Sequence, residues 1–249
     1  MKYAIAWLPA LVLALFPAHE ATGQEAPETT LMTVYELHVK IGHDRQFREA
    51  MAEWKKCYLE NDGKTGWGVW RRVQGKGSAY AVTFNSSGWA DWASDDPAGE
   101  ACESIITDRI DPHLDGVATE IARLMPEISG SVDEFSVVNV INFRVADRAT
   151  FNRIVKDVTT VLREDEHDYH AFWYQPVGGG PHAPDYFVVA TIKDFAAMDE
   201  DTPGVWERYA AAKGQDAADK TRAEFGKALE DEWSYLYRRV EDLSHQVEE

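Results

Sequence analysis

The chain has 249 residues, a formal net charge of −18 and a pI of 4.8. A surface this acidic repels phosphate backbones and anionic lipid, so nucleic acid and membrane surfaces are excluded as expected partners. The charge itself asks for no more than solubility.

Met1-Lys2 is a short charged start, Tyr3 to Phe16 is an apolar run, and Ala21-Thr22-Gly23 offers small residues where a signal peptidase reads. Residues 1–23 therefore read as a secretory signal peptide, with a secreted or periplasmic mature protein. The run is too short for a membrane anchor, which needs about 20 apolar residues. No later stretch is apolar enough to span. Residues 24–30 read as a flexible lead-in. About 220 residues remain, enough for two ordinary domains.

Val34 to Ile41 alternates with period two and is a predicted strand, Tyr35, Leu37 and Val39 on one face and Val34, Glu36 and His38 on the other. After Gly42, Phe47, Met51, Trp54 and Tyr58 recur at helical steps, so an amphipathic helix is predicted to about Glu60. Gly66 to Val73 is a second strand, Gly75-Lys76-Gly77 a hairpin turn, and Ala79 to Phe84 a third strand. A short helix is expected around Trp89 to Ala93, then a longer helical region from Pro97 to about Leu114, interrupted near Pro112. Val117 to Met125 reads as a fourth strand.

The order then starts again. Val137 to Val145 is a strand, Thr150 to Glu166 an amphipathic helix, Tyr169 to Val177 and Tyr186 to Ile192 a hairpin, Pro203 to Leu229 helical, and Trp233 to Val240 a last strand. The two stretches also match residue by residue. A shift of 104 (151 − 47) places Phe47 on Phe151, Glu60 on Glu164, Leu37 on Ile141 and Lys40 on Arg144. A shift of 106 (186 − 80) places Tyr80 on Tyr186 and Trp89 on Phe195, and one of 115 (238 − 123) places Arg123 on Arg238. A self-match at this spacing means one structural unit used twice. The nine-residue step between the last two shifts puts an insertion in the second long helix.

Each unit thus reads strand–helix–strand–strand–helix–strand, the ferredoxin-like arrangement, whose helices cover only one sheet face. The expectation is an α+β chain of two tandem ferredoxin-like βαββαβ units, residues 31–129 and 135–244, burying their bare sheet faces against each other. Cys57 and Cys102 both lie in the first unit. Two readings stay open: a disulfide, worth about 4 kcal/mol for a loop of about 45 residues, or two separate buried thiols.

On this element order the chain resembles the dimeric α/β-barrel superfamily, and more closely its fused, single-chain members, over residues 31–244. The hairpin-to-helix segments Tyr80–Trp92 and Tyr186–Met198 carry the likeness. The second is similar to the corresponding stretch in uncharacterised exported bacterial proteins of this type. The superfamily hosts cofactor-free monooxygenases, haem enzymes, isomerases and aldoxime chemistry, and fold analogy does not choose among them. No family catalytic motif transfers residue by residue.

In such a barrel the space between the sheets can hold a small ligand. Glu36, His38 and Asn142 are expected to look into it, and a carboxylate beside an imidazole can move protons. Such groups also satisfy each other as a buried polar pair. The second strands add Trp70, His170, Phe172 and Tyr174, and the third add Tyr80 and Tyr186, as an aromatic lining or as ordinary core. His167 and His170 near Asp168 make a weak metal pattern, so no metal and no cofactor is expected. Three functions compete: an exported small-molecule-binding protein using the inter-sheet cavity, which asks least of the residues; a cofactor-independent monooxygenase or isomerase with Glu36 and His38 as acid–base groups; or a structural or interaction module with a filled interior. A tandem chain closes its own barrel, so a monomer, or a dimer through outer surfaces, is expected.

Overall fold

The computed structural model describes residues 30–131, 134–165, 167–181 and 183–246; the expected signal peptide and residues 24–29 of the lead-in lie outside them. Eight strands carry the fold: β1 Leu31–Val39, β2 Gly68–Arg72, β3 Ser78–Ser86, β4 Leu114–Leu124, β5 Val137–Val145, β6 Ala171–Pro176, β7 Tyr186–Ile192 and β8 Leu229–Arg239. They form a closed antiparallel barrel in the order β1-β3-β2-β8-β5-β7-β6-β4. The first half of the chain supplies β4-β1-β3-β2 and the second supplies β8-β5-β7-β6, so both contribute the same internal order. Two seams join them. Trp70, Arg71 and Arg72 pair with Arg239, Arg238 and Tyr237 at one, and Ala122, Arg123 and Leu124 pair with Pro176, Gln175 and Tyr174 at the other. Closure leaves no strand edge unpaired, which removes the template for edge-to-edge association.

Strand alternation sorts the side chains between two environments. Leu37, Val39, Val69, Tyr80 and Val82 point outward and pack on Phe47, Ala50, Met51 and Tyr58 of α1 (Asp44–Glu60). Phe143, Val145, Trp173, Tyr186 and Val188 point outward in the second half and pack on Phe151 and Val155 of α2 (Arg148–Glu164). Asp147 starts α2 by accepting from the amides of Ala149 and Thr150, satisfying two of its unpaired donors. The inward faces meet at the waist of the barrel. Met32, Ala122 and Phe187 pack together there, as do Ala81, Val138 and Tyr237, all buried.

Three features depart from the sequence-based expectation. The bulge between His38 and Val39 on β1 recurs between Arg144 and Val145 on β5, so the first strands superpose at a shift of 106 (145 − 39), while α1 and α2 superpose at 104 (148 − 44). The turn after β1 is two residues longer than that after β5. Leu37 therefore corresponds to Phe143 and His38 to Arg144, whereas the sequence match paired Leu37 with Ile141 and Lys40 with Arg144. The region expected to be helical from Pro97 to Leu114 is helical but not one continuous helix: it runs as short segments, Pro97–Ala101, Glu103–Ile105, a π-helical Ile106–Ile110 and a 3-10 turn Asp111–His113, which β4 follows directly. The expected helix from Pro203 to Leu229 breaks into α3 (Val205–Lys213) and α4 (Gln215–Ala228) at Gly214, whose φ of +89° is a conformation open chiefly to glycine.

Cys57 and Cys102 form a disulfide with a Cα–Cα distance of 6.0 Å, tying the end of α1 to the short helical segments that follow β3. Among the described residues no helix is long and apolar enough to cross a membrane.

Candidate active site at one end of the barrel

The inward face of β1 runs from apolar to polar. Met32 and Val34 belong to the waist, and Glu36 and His38 follow toward the end of the strand. His38 Nε2 lies 3.3 Å from Glu36 Oε1, so the structure brings together the two side chains expected to act as acid and base. They sit where the interior meets solvent, with 45% and 34% of their side-chain surface exposed. On β2, Arg72 shares the inward face of Trp70. Its Nη1 is 3.2 Å from the same Glu36 oxygen, its Nη2 donates to the Lys76 carbonyl at 2.6 Å, and its guanidinium lies over the Tyr235 ring, 4.8 Å from the centroid. Only 7% of the Arg72 side chain is exposed.

The fourth strand adds a group the sequence reading did not single out. Glu120 on β4 pairs in register with Val34 and shares the inward face of Ala122. Burial pushes its carboxyl up to about 7, and the neighbouring Glu36 carboxylate pushes in the same direction. Glu120 Oε1 is buried with no hydrogen-bond partner, and so is Arg72 Nε. An unpaired acceptor and an unpaired donor thus both serve the end of the barrel that Glu36 links. Tyr237, on β8, closes the group from below, and burial, assisted by Glu36, holds its hydroxyl up at about 12. The signal for Glu120 was present in the sequence: along β4 the inward positions read Gly116, Ala118, Glu120 and Ala122, one carboxylate among small residues. Arg72 was hidden because its strand is short and its alternation did not show which face was inward.

The remaining candidates divide. Trp70 lies in the interior, stacked on Phe135 at 5.8 Å and 7°, with its indole N–H donating to Thr83. Tyr174 is also interior, stacked on Phe187 at 5.1 Å, and burial alone holds its hydroxyl up at about 12. Phe172 is half-buried opposite Val189, and Asn142 is half-buried between Phe187 and Trp233. His170 precedes β6, its Nδ1 3.2 Å from the Ser131 carbonyl and its Nε2 4.0 Å from Asp168. It belongs to the outer end of that strand with His167 and Asp165 rather than to the Glu36 group.

Tyr80 and Tyr186 are corrections. Neither lines the interior. Tyr80 pairs directly with Leu37 and Tyr186 with Phe143, so both share the outward face of those residues. The Tyr80 ring packs on Phe47 at 4.8 Å and its hydroxyl donates to Asp44 at 2.8 Å; Tyr186 stacks on Phe151 at 5.0 Å. They are core residues between sheet and helix.

A haem between sheet and helices, one chemistry known on this fold, is not matched by the residues present. That space in the second half is filled by Phe143, Phe151, Trp173, Tyr186 and Phe225, and among the described residues no histidine is buried to serve as axial ligand.

No family model and no curated protein matches the chain. Solved structures do. A proposed monooxygenase from Fusobacterium nucleatum is similar with a TM-score of 0.55 at 9% identity, over 86% of this chain and 94% of that one. A proposed monooxygenase from Lactobacillus acidophilus gives 0.52 at 11%, over 89% and 100%. A mutant chlorite dismutase from Candidatus Nitrospira defluvii gives 0.53 at 9%, over 87% and 94%. At such identities the likeness is one of fold, and the fold is of the dimeric α/β-barrel type.

Proposed function

We propose that the chain is a fused pair of ferredoxin-like units, residues 31–129 and 135–244, that takes up a small organic molecule at the polar end of its barrel and moves a proton on it without a cofactor. The observation that carries this reading is that Glu120, a buried carboxyl near neutral pKa with an unused acceptor, and Arg72, a buried guanidinium with an unused donor, both neighbour Glu36. A base poised near the working pH abstracts a proton at least cost, and a fixed cation nearby stabilises the negative charge left behind. Glu36 holds Arg72 in place and raises Glu120, while His38, at the rim, relays the proton to solvent. The matching strand orders support the fused-pair reading.

Two of the similar structures are proposed monooxygenases, which supports small-molecule chemistry by analogy. The filled waist weighs against the broader cavity first expected, so binding is assigned to the barrel end alone. A closed barrel needs no partner strand, so the working form is a monomer, which light scattering checks. The Cys57–Cys102 disulfide supports an oxidising, extracytoplasmic setting.

The test is deuterium exchange. A panel of enolisable aromatic ketones is held in D2O with the protein, and loss of the α-proton signal is followed by NMR. Exchange of at least one member faster than in buffer is expected, with Glu120→Gln slowing it about a hundredfold or more. If no ketone exchanges faster, or if Glu120→Gln matches the unaltered protein, the assignment is wrong.

A further inference from the structure

We propose a second ligand site, outside the barrel, that takes an organic anion with an apolar body. It lies at the β2–β8 seam, in a cleft of about 530 Å³ between the turn after β1 and the β2–β3 hairpin. In a chain with net charge −18, three cations outside the barrel converge there, Lys40, Arg71 and Arg238, while the inward-facing Arg72 only borders the cleft. The single carboxylate in the lining, Asp44, is already occupied: it accepts from Ser78 and Tyr80 and sits 3.4 Å from Arg71. Lys40 donates to the Pro112 carbonyl, and Arg72 is held by Glu36.

Arg238 has no carboxylate in ion-pair range among the described residues, and it stands directly opposite Arg71 on the neighbouring strand. Like charges directly opposite each other on one sheet face repel. The equivalent position of the other seam places Arg123 opposite neutral Gln175, so this juxtaposition is not a requirement of the fold. An anion seated between the two guanidiniums relieves the repulsion and accepts hydrogen bonds from both.

The same cleft has an apolar rim. Ile41, Val73 and Phe195 line it and are 92%, 47% and 45% exposed, large fractions for such side chains. Phe195 comes from the second half and the others from the first, so the cleft exists only where the two halves meet. A carboxylate or sulfonate would take the guanidiniums, and its aromatic or aliphatic body would cover the rim. Inorganic phosphate or sulfate would satisfy only half of this surface.

The experiment compares two probes with the same rings. 1-Anilinonaphthalene-8-sulfonate carries an anion; N-phenyl-1-naphthylamine does not. Each is titrated fluorimetrically into the full chain. The sulfonate is expected to bind with one saturable component that weakens about tenfold or more in Arg238→Ala, recovers in part in Arg238→Lys, weakens in Phe195→Ser, and fades as salt is raised. The neutral probe is expected to ignore Arg238→Ala. The proposal is overturned if Arg238→Ala leaves sulfonate affinity within twofold, or if both probes lose affinity equally. Arg238 is exposed, and an unchanged melting temperature shows that the variant is folded. Because fluorescence reports no proton transfer, this result stands or falls apart from the deuterium-exchange test.

Discussion

The two halves of the barrel have the same strand order and opposite inner chemistry. Where β1 carries Glu36 and His38, β5 carries Asn142 and Arg144; where β4 carries Glu120, β8 carries Tyr235; where β2 carries Arg72, β6 carries Pro176. Apart from Tyr235 and Tyr237, every titratable member of the Glu36 network comes from the first half. The outer cores differ in what covers them. The second half is held by a stack of Phe143, Phe151, Trp173, Tyr186 and Phe225 under two full helices, whereas the first packs Trp54, Tyr58, Trp67 and Phe84 together and carries short helical segments stapled by a disulfide. One half has gathered reactive groups; the other frames them.

The sharpest way to break this comparison is in the outer cores. Phe151→Ala removes a ring in contact with four aromatic neighbours and is expected to cost about 3–5 kcal/mol in urea unfolding. Phe47→Ala, whose ring partner is Tyr80, is expected at the lower end of that range, and equal losses would show that the two cores are equivalent. Next comes the staple. Replacing Cys57 and Cys102 together by serine should cost up to about 4 kcal/mol, with hydrogen exchange rising in α1 and unchanged in α2. Uniform exchange across both helices would contradict a local role.

Glu120 gives a pH test of the inner difference. Its folded carboxyl sits at about 7 against an ordinary 4.5. The folded chain therefore keeps a proton that the unfolded chain releases, and stability falls as pH rises from about 4.5 to 7, then levels off. At about 1.36 kcal/mol per pK difference, the fall amounts to about 3 kcal/mol. Glu120→Gln should flatten this slope, while Tyr235→Phe at the corresponding position should keep it; an unflattened slope in Glu120→Gln would place the titration elsewhere. The smallest effect is expected from Arg144→Met, which removes a guanidinium 5.5 Å from the Trp233 ring and should cost under about 1 kcal/mol in the same unfolding assay.

Alternation and helical spacing made most of this architecture readable. Val137–Val145 and Tyr186–Ile192 were delimited to the residue because apolar positions at period two leave one solution. The pairing of Glu36 with His38 followed from the same parity. The outward placement of Tyr80 and Tyr186 was not readable, because a tyrosine suits either face and only the register with Leu37 and Phe143 decides. The two-residue slip between the first strands was masked by chance matches such as Lys40 on Arg144. Arg72 was missed because its strand is too short for alternation to show which face is inward; Glu120 stands out among Gly116, Ala118 and Ala122, but its burial is created by strands distant in sequence.

Holding both halves on one polypeptide has a consequence for charge. Were two copies of the first half to close the same ring, Glu36 and Glu120 would each occur twice at one mouth. Four carboxylates would then share a small desolvated space with mutual repulsion to match. Covalent linkage frees the halves from obeying a common sequence, so asparagine and tyrosine can stand where the duplicate acids would fall. An asymmetric mouth of this kind is open to a single chain and closed to a symmetric homodimer.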